Sequence, residues 1–323
     1  MRLSDVSGFA LLAVLAARTA SAQPDPNEPS PSPPPEPETT PASTNPPPPP
    51  PPGGSTAPDV VPADKTVGTI LPNMLPTRIG ATVDVRLDYS NFDQAGLGGG
   101  DLFLLGLNVH GQYIAPQGYG AYLQMPYYYA SADNDTGGTD TEQGLGNIEL
   151  GGLYKVPQGA KSEILLRGGI ALDSAGNTDS FLAPVSQISP RLYDAYTAGF
   201  LSNWLRAEGS FRHAEGNLRF GASAGFDMPF GGDDAINIDG IAKLAVSVGI
   251  EQPGVGFSVG YVMMQLIGSD SDDDNVSGLN VLVNFALSPA TSLYGAFGLP
   301  DLENNFDEFD LWAVGAGIRA AIN

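Results

Sequence analysis

Most residues of this chain that could do chemistry are carboxylates. Residues 269–275 read SDSDDDN, with Asp270, Asp272 and Asp274 alternating, and residues 133–137 read DNDTG. Hard cations such as calcium take several carboxylate oxygens at once. A calcium loop closes on a glutamate at its twelfth position, and counting from Asp133 that position is Gly144. The three aspartates are therefore weak metal candidates, read first as a solvated acidic rim and second as a loose Ca²⁺ or Mg²⁺ bridge. No cofactor is expected. There are two histidines, His110 in NVHGQY and His213 in FRHAEGN. A histidine base activates a nucleophile only within hydrogen-bond reach. Two residues further along, where a serine would share its strand face, stand Gln112 and Glu215. An enzyme is not expected.

A second set of charges recurs at a spacing of two. In residues 79–91, IGATVDVRLDYSN, one file holds Ile79, Ala81, Val83, Val85, Leu87 and Tyr89, and the other holds Asp84, Arg86 and Asp88. That period is a strand with one apolar and one polar face. Repeated along the chain, it predicts twelve strands: 78–91, 101–115, 119–130, 145–156, 163–172, 198–213, 217–228, 235–250, 254–267, 276–288, 291–299 and 310–322. The sixth alternates least cleanly, at Leu201, Asn203, Trp204 and Arg206, and a bulge would repair it. Pro126 removes a ladder donor in the third, where a bulge or an end is expected.

The connections alternate too. Short turns such as Pro116-Gln117-Gly118, Glu215-Gly216-Asn217 and Gln252-Pro253-Gly254 take turns with longer, mostly acidic loops, among them 92–100, 131–144 and 173–197. Short and long ends in strict alternation require antiparallel up-and-down strands. With dyad alternation and an even strand count, this predicts an all-β fold, a transmembrane antiparallel up-and-down β-barrel of about 12 strands. Only a closed sheet can satisfy its backbone in lipid. Aromatics in the apolar file fall into two girdles: Tyr89, Phe103, Tyr127, Tyr129, Phe226 and Trp312 near the long loops, and Tyr113, Tyr119, Tyr154, Phe211 and Phe257 near the short turns. The last strand ends in Asn323 instead of the aromatic residue usual in such barrels.

The polar file then faces the lumen. Its candidates are Asp84, Arg86, Asp88, His110, Glu149, Lys155 and Arg167 in the first half of the barrel. Arg206, Glu208, Arg212, Arg219, Asp227, Asp239, Lys243 and Arg319 follow in the second. About half are basic, although the whole chain carries a formal charge of -22. Two arrangements fit a barrel this narrow: the charges pair across the lumen and fill it, or they line a slim water path that selects by charge and size. Large porins use roughly 16–18 strands, so wide-pore diffusion is not the expectation. Known catalytic barrels place a histidine with its partners at the outer rim; His110 points inward and His213 sits beside a short turn.

The N-terminus reads as a secretory signal: Arg2, an apolar core from Gly8 to Ala17, and Ala20-Ser21-Ala22 before a cut at Gln23. Residues 1–22 are this signal, 23–63 a linker and 64–323 the barrel. The linker holds 18 of the 29 prolines. It is too poor in apolar side chains to fold and too rich in proline to be compact. Fully extended it reaches roughly 120 Å. These features place the protein in the outer membrane of a Gram-negative bacterium with the linker in the periplasm. Expected partners are outer-membrane lipid, lipopolysaccharide at the acidic loops, and peptidoglycan or a periplasmic protein at the linker. The acidic balance argues against nucleic acid, and without cysteine there is no disulfide or thiolate metal site.

Residues 143–156 read QGLGNIELGGLYKV. Gly144, Leu145, Gly146, Gly151 and Tyr154, followed by a turn, resemble a stretch of the outer-membrane proteins labelled as the meta-pathway phenol degradation family, with Asn147 where that family usually has Asp. The resemblance implies a transporter-like barrel for small solutes, aromatic ones included, and carries over no binding residue. The expected function is a narrow channel for small solutes. The alternative is a non-conducting barrel that anchors the outer membrane to a periplasmic partner or the cell wall, or serves as a surface adhesin.

Overall fold

A computed structural model of the chain describes residues 70–94, 101–133, 139–159, 161–174, 192–194, 202–232, 238–268, 275–301 and 309–322. The signal and linker expected over 1–22 and 23–63, and the acidic run with Asp270, Asp272 and Asp274, lie outside the described residues.

The strands are β1 (Gly80–Gln94), β2 (Asp101–Ile114), β3 (Tyr119–Asp133), β4 (Thr139–Leu145), β5 (Ile148–Val156), β6 (Ser162–Leu172) and β7 (Ser202–Glu215). Six more follow: β8 (Leu218–Gly232), β9 (Gly240–Gln252), β10 (Val255–Ile267), β11 (Asn275–Ser288), β12 (Thr291–Asp301) and β13 (Phe309–Ile322). Every pairing is antiparallel, and all but one join sequence neighbours or near neighbours. The exception closes the barrel: β1 pairs with β13, with Asp84 opposite Arg319 and Val85 opposite Ile318. The thirteen strands make twelve staves, because β4 and β5 follow one another along the same edge of β3. Closure through β1 and β13 removes the two open edges that the same sheet would otherwise present to lipid there.

The alternation that built the strands also sorts their faces. Along β9, Leu244, Val246, Val248 and Ile250 are exposed, whereas Ala245 and Ser247 between them are buried. Leu87 on β1 is 55% exposed and its neighbours Arg86 and Asp88 are 4% and 0%. This is a protein turned outward: its apolar surface meets lipid and its polar groups are enclosed. All eleven girdle aromatics stand on the outer surface, none of them buried. Near the long loops they touch, with Tyr89 5.3 Å from Phe103 and 5.5 Å from Trp312, and Phe103 6.2 Å from Tyr129. Near the short turns Tyr119 stacks on Tyr154 at 5.0 Å.

Three short turns are set by glycines in the left-handed region: Gly118 (φ +92), Gly216 (φ +57) and Gly254 (φ +85). At Gly118 a side chain would also run into the carbonyl oxygen of Lys155.

Two local expectations resolve differently. β3 runs through Pro126 without a break, and the irregularity falls on its partner. β5 pairs with β3 as far as Gln124–Glu149, β4 resumes at Tyr127–Leu145, and Gly146 and Asn147 bulge between them. Gly146 N–H then donates to the Pro126 carbonyl at 2.9 Å. The bulge is fastened by Asn147 Nδ2 donating to Ser202 O (3.0 Å) and by Ser174 Oγ donating to Gly146 O (2.7 Å). The sequence predicts a loop over 131–144, yet most of its second half belongs to β4, because the β3 hairpin continues beyond the bulge. The bulge expected in the sixth predicted strand is present, at Ser202–Asn203 of β7.

Candidate functional site: the barrel interior

Among the described residues, two fully enclosed charged clusters stand in the interior, one on each side of the barrel. The larger rises from β5 to β9. Arg167 (β6) donates to Glu149 (β5) at 2.7 Å and to Glu208 (β7) at 3.3 Å, and lies 4.5 Å above the ring of Tyr122 (β3). Tyr122 donates its hydroxyl hydrogen to the same Glu149. Arg206 (β7) reaches Glu149 at 3.1 Å and Asp227 (β8) at 3.1 Å, and Lys243 (β9) pairs with Asp227.

A single 3-10 turn, Leu192–Asp194, from the long β6–β7 connection enters this cluster. Asp194 accepts from both Arg206 and Arg167, and Lys243 lies 4.4 Å over the Tyr193 ring while donating to Tyr193 O at 3.1 Å. Burial, with Glu208 nearby, pushes the Tyr193 hydroxyl above its ordinary range, so it stays neutral. The inward side of β8 is cut back for it: a side chain at Gly225 would stand 2.7 Å from the Tyr193 oxygen.

The smaller cluster joins β1, β12 and β13. Asp84 accepts from Arg319 at 2.5 Å and from the Tyr294 hydroxyl at 2.6 Å, while Arg86 pairs with Asp88 two residues along β1. Gly317 lies under the Tyr294 ring, where any side chain would collide. His110 (β2) stacks on Tyr122 at 5.9 Å and meets Gln112 at 3.2 Å, which brings β2 and β3 into the same enclosed surface. We expect Tyr294→Phe to cost about 1 kcal/mol, the worth of one hydrogen bond. Asp84→Asn should cost more, because it leaves the Arg319 cation without its carboxylate. Urea-unfolding midpoints of the two variants, refolded in the same lipid, check that order.

Of the other charged candidates, Lys155 pairs with Glu163 at 2.6 Å, and Arg212 donates to the backbone of the segment before β1. Arg219 pairs with Glu251 at 2.8 Å, partly exposed at the short-turn end. The alternation puts Asp239 in the inward file of a strand from 235; β9 begins later, at Gly240, and Asp239 is exposed in the bend before it. Its backbone N–H donates to Ile267 O at 2.7 Å and caps the strand pair.

Several interior residues carry no formal charge and are absent from the sequence-derived set: Tyr122, Gln124, Tyr294, Asn108 and Gln112. Their signal is the alternation itself, which puts them in the polar file. Asp194 and the segment 70–77 have no period and cannot be placed that way. Nor can Ser162, whose Oγ lies 3.0 Å from His213 Nδ1 across the β6–β7 pair. The histidine's own strand offers no serine two residues on, and the neighbouring strand supplies one instead. Glu215 stands 3.8 Å from His213 Nε2 but is gripped by Lys161 at 2.7 Å and 3.0 Å. The Lys161–Glu215 pair is exposed and the Ser162–His213 contact half-buried, both at the short-turn rim and outside the enclosed clusters.

A closed, antiparallel barrel with a lipid-facing apolar file, two aromatic girdles and an ionic interior defines an outer-membrane β-barrel. Residues 102–317 match the family described as "Putative MetA-pathway of phenol degradation", and the chain belongs to that family. No curated protein sequence matches it. Among solved structures, an outer membrane channel from Pseudomonas putida F1 is similar in fold: the TM-score is 0.57 at 13% identity, covering 77% of this chain and 97% of that one. The NanC porin superposes with a TM-score of 0.50 at 10% identity, covering 74% of this chain and all (100%) of that one.

Proposed function

We propose that this barrel is a narrow channel for small solutes across the outer membrane, aromatic ones among them. The observation that carries the reading is the interior. A barrel that served only as an anchor could fill itself with apolar side chains. This one instead encloses at least ten charged groups, among them Asp84, Arg86, Asp88, Glu149, Arg167, Arg206, Glu208, Asp227, Lys243 and Arg319. These charges are paired and enclosed, the filled arrangement of the two; a polar filling of this kind can be hydrated and so lets hydrated solutes pass once part of it moves aside. The family's name points to aromatic solutes, and the similar structures named above are a channel and a porin.

The purified full chain should give discrete, small conductance steps in planar bilayers. Its reversal potential in a salt gradient should be small, because acids and bases are nearly balanced inside. A bilayer that stays silent across voltages and salts would remove the channel reading and leave the anchoring one.

Both barrel termini lie at the short-turn end, β1 starting and β13 ending there. In an outer membrane that end faces the periplasm, which supports a periplasmic linker over 23–63 in reach of peptidoglycan or a periplasmic protein. The acidic long loops would then face lipopolysaccharide. A tethered peptide of residues 23–63 that retains neither peptidoglycan nor any periplasmic protein would strike out the linker's part.

A further inference from the structure

Residues 70–77 read ILPNMLPT and precede β1. They form neither helix nor strand, yet Ile70, Leu71, Asn73, Met74, Leu75 and Thr77 are all buried. The segment crosses the barrel. Ile70 O accepts from Ser258 of β10 (2.8 Å), Pro76 O from Gln112 of β2 (2.7 Å) and Thr77 O from Lys155 of β5 (2.9 Å). Leu75 O accepts from Arg212 of β7. At one end Ile70 packs with Leu282, Tyr294 and Ala296; toward the other Leu75 packs with Ile114, Tyr122, Leu153 and Leu165. These wall residues lie between the short-turn ends of their strands and the middle.

The wall is shaped to receive the segment. A side chain at Gly221 would collide with Met74, one at Gly249 would stand 3.3 Å from Leu71 Cδ2, and one at Gly260 would stand 2.9 Å from Pro72 Cβ. The hold is also reversible in kind. The anchors are side chains on backbone carbonyls, which water can replace, and no sheet ladder joins the segment to the wall. Pro72 and Pro76 lack N–H donors that withdrawal would have to re-satisfy. Asn73 counts against permanence. It is the one non-glycine residue at positive φ among the described residues (φ 61), and its buried amide has no partner at either Oδ1 or Nδ2. Strain and an unpaired buried amide each raise the free energy of the seated state.

We propose that Ile70–Thr77 is the gate of this barrel. Seated, it closes the short-turn half of the interior; withdrawn through the short-turn mouth, it opens it. The inference rests on the channel reading above. The chain has no cysteine, so a Pro72→Cys/Gly260→Cys pair can fix the segment to β10 unambiguously. The closeness of those positions requires only a small adjustment to reach disulfide geometry.

Planar bilayers compare three full-length forms: the unmodified chain, the cysteine pair, and a chain with residues 70–77 replaced one for one by glycine and serine. The oxidised pair should lose the conductance steps and regain them on adding reductant in the same bilayer, which makes the reduced form its own folding control. The glycine–serine chain should conduct several-fold more than the unmodified one. If the oxidised pair conducts as freely as its reduced form, the gate is wrong while the channel stands. If no form conducts at all, the channel reading fails and takes the gate with it.

Discussion

Arg206→Met should destabilise the folded barrel by about 3–5 kcal/mol, the usual effect of removing one partner from a buried ionic cluster. Arg206 is 4% exposed and holds three carboxylates from three elements: Glu149 on β5, Asp227 on β8 and Asp194 from the inserted turn. Without it, Arg167 and Lys243 remain the cations within reach of that set. The carboxylates then stay enclosed with too little positive charge, and each must take up a proton or repel its neighbours. Arg206→Lys should recover only part of the loss, since an ammonium cannot reproduce the guanidinium's several directed bonds. Arg206→Met combined with Asp227→Leu should be less destabilising than Arg206→Met alone, because charge is then removed in matched amounts. Urea-unfolding curves in lipid vesicles read all three. A single variant within about 1 kcal/mol of the parent would mean that water already screens the cluster, and that its ion pairs add little to stability.

Leu87→Arg should cost about 2–4 kcal/mol, the depth-dependent penalty for a cation on the lipid face of a barrel. Leu87 lies mid-strand on β1 and is 55% exposed, opposite Leu107 on β2 and Ala316 on β13. Its neighbour Arg86 is already an arginine one residue away, yet it is enclosed and paired with Asp88. The same side chain is thus stabilised at position 86 and rejected at 87. Heat-modifiable gel migration and the yield of folded barrel in outer membranes measure the difference. If Leu87→Arg assembles and unfolds as the parent does, the inside–outside assignment of β1 is wrong.

How much of the barrel is legible in the sequence follows from what periodicity can carry. A file of period two fixes which residues share a face, so the amino-acid order alone sends Val83, Val85 and Leu87 to lipid and Asp84, Arg86 and Asp88 inward. The antiparallel up-and-down order follows from the alternation of short and long connections, and closure from the need to pair every backbone group in lipid. Cross-barrel partners do not follow. Asp84 meets Tyr294 and Arg319, more than 200 residues away in sequence (|i−j| = 210 and 235), because closure and strand stagger bring β1 beside β13 and across from β12. Nothing local announces Asp194, which reaches the cluster from a connection without a period. The segment ILPNMLPT does carry a signal, four large apolar residues beside a proline-rich stretch, but its aperiodic spacing gives no face to assign. Ser162 and His213 lie on different strands, and spacing along one strand cannot join them: partners in a sheet meet across strands as well as along them.

Solute uptake by proteoliposomes is the most direct test of the channel claim, because swelling accumulates solute over many openings even if the barrel is closed most of the time. Vesicles containing the purified full chain, placed in isosmotic solutes graded in size, charge and aromatic character, should swell fastest with small solutes and scarcely at all with oligosaccharides. Swelling no faster than that of protein-free vesicles, for every solute including the smallest, would contradict the account.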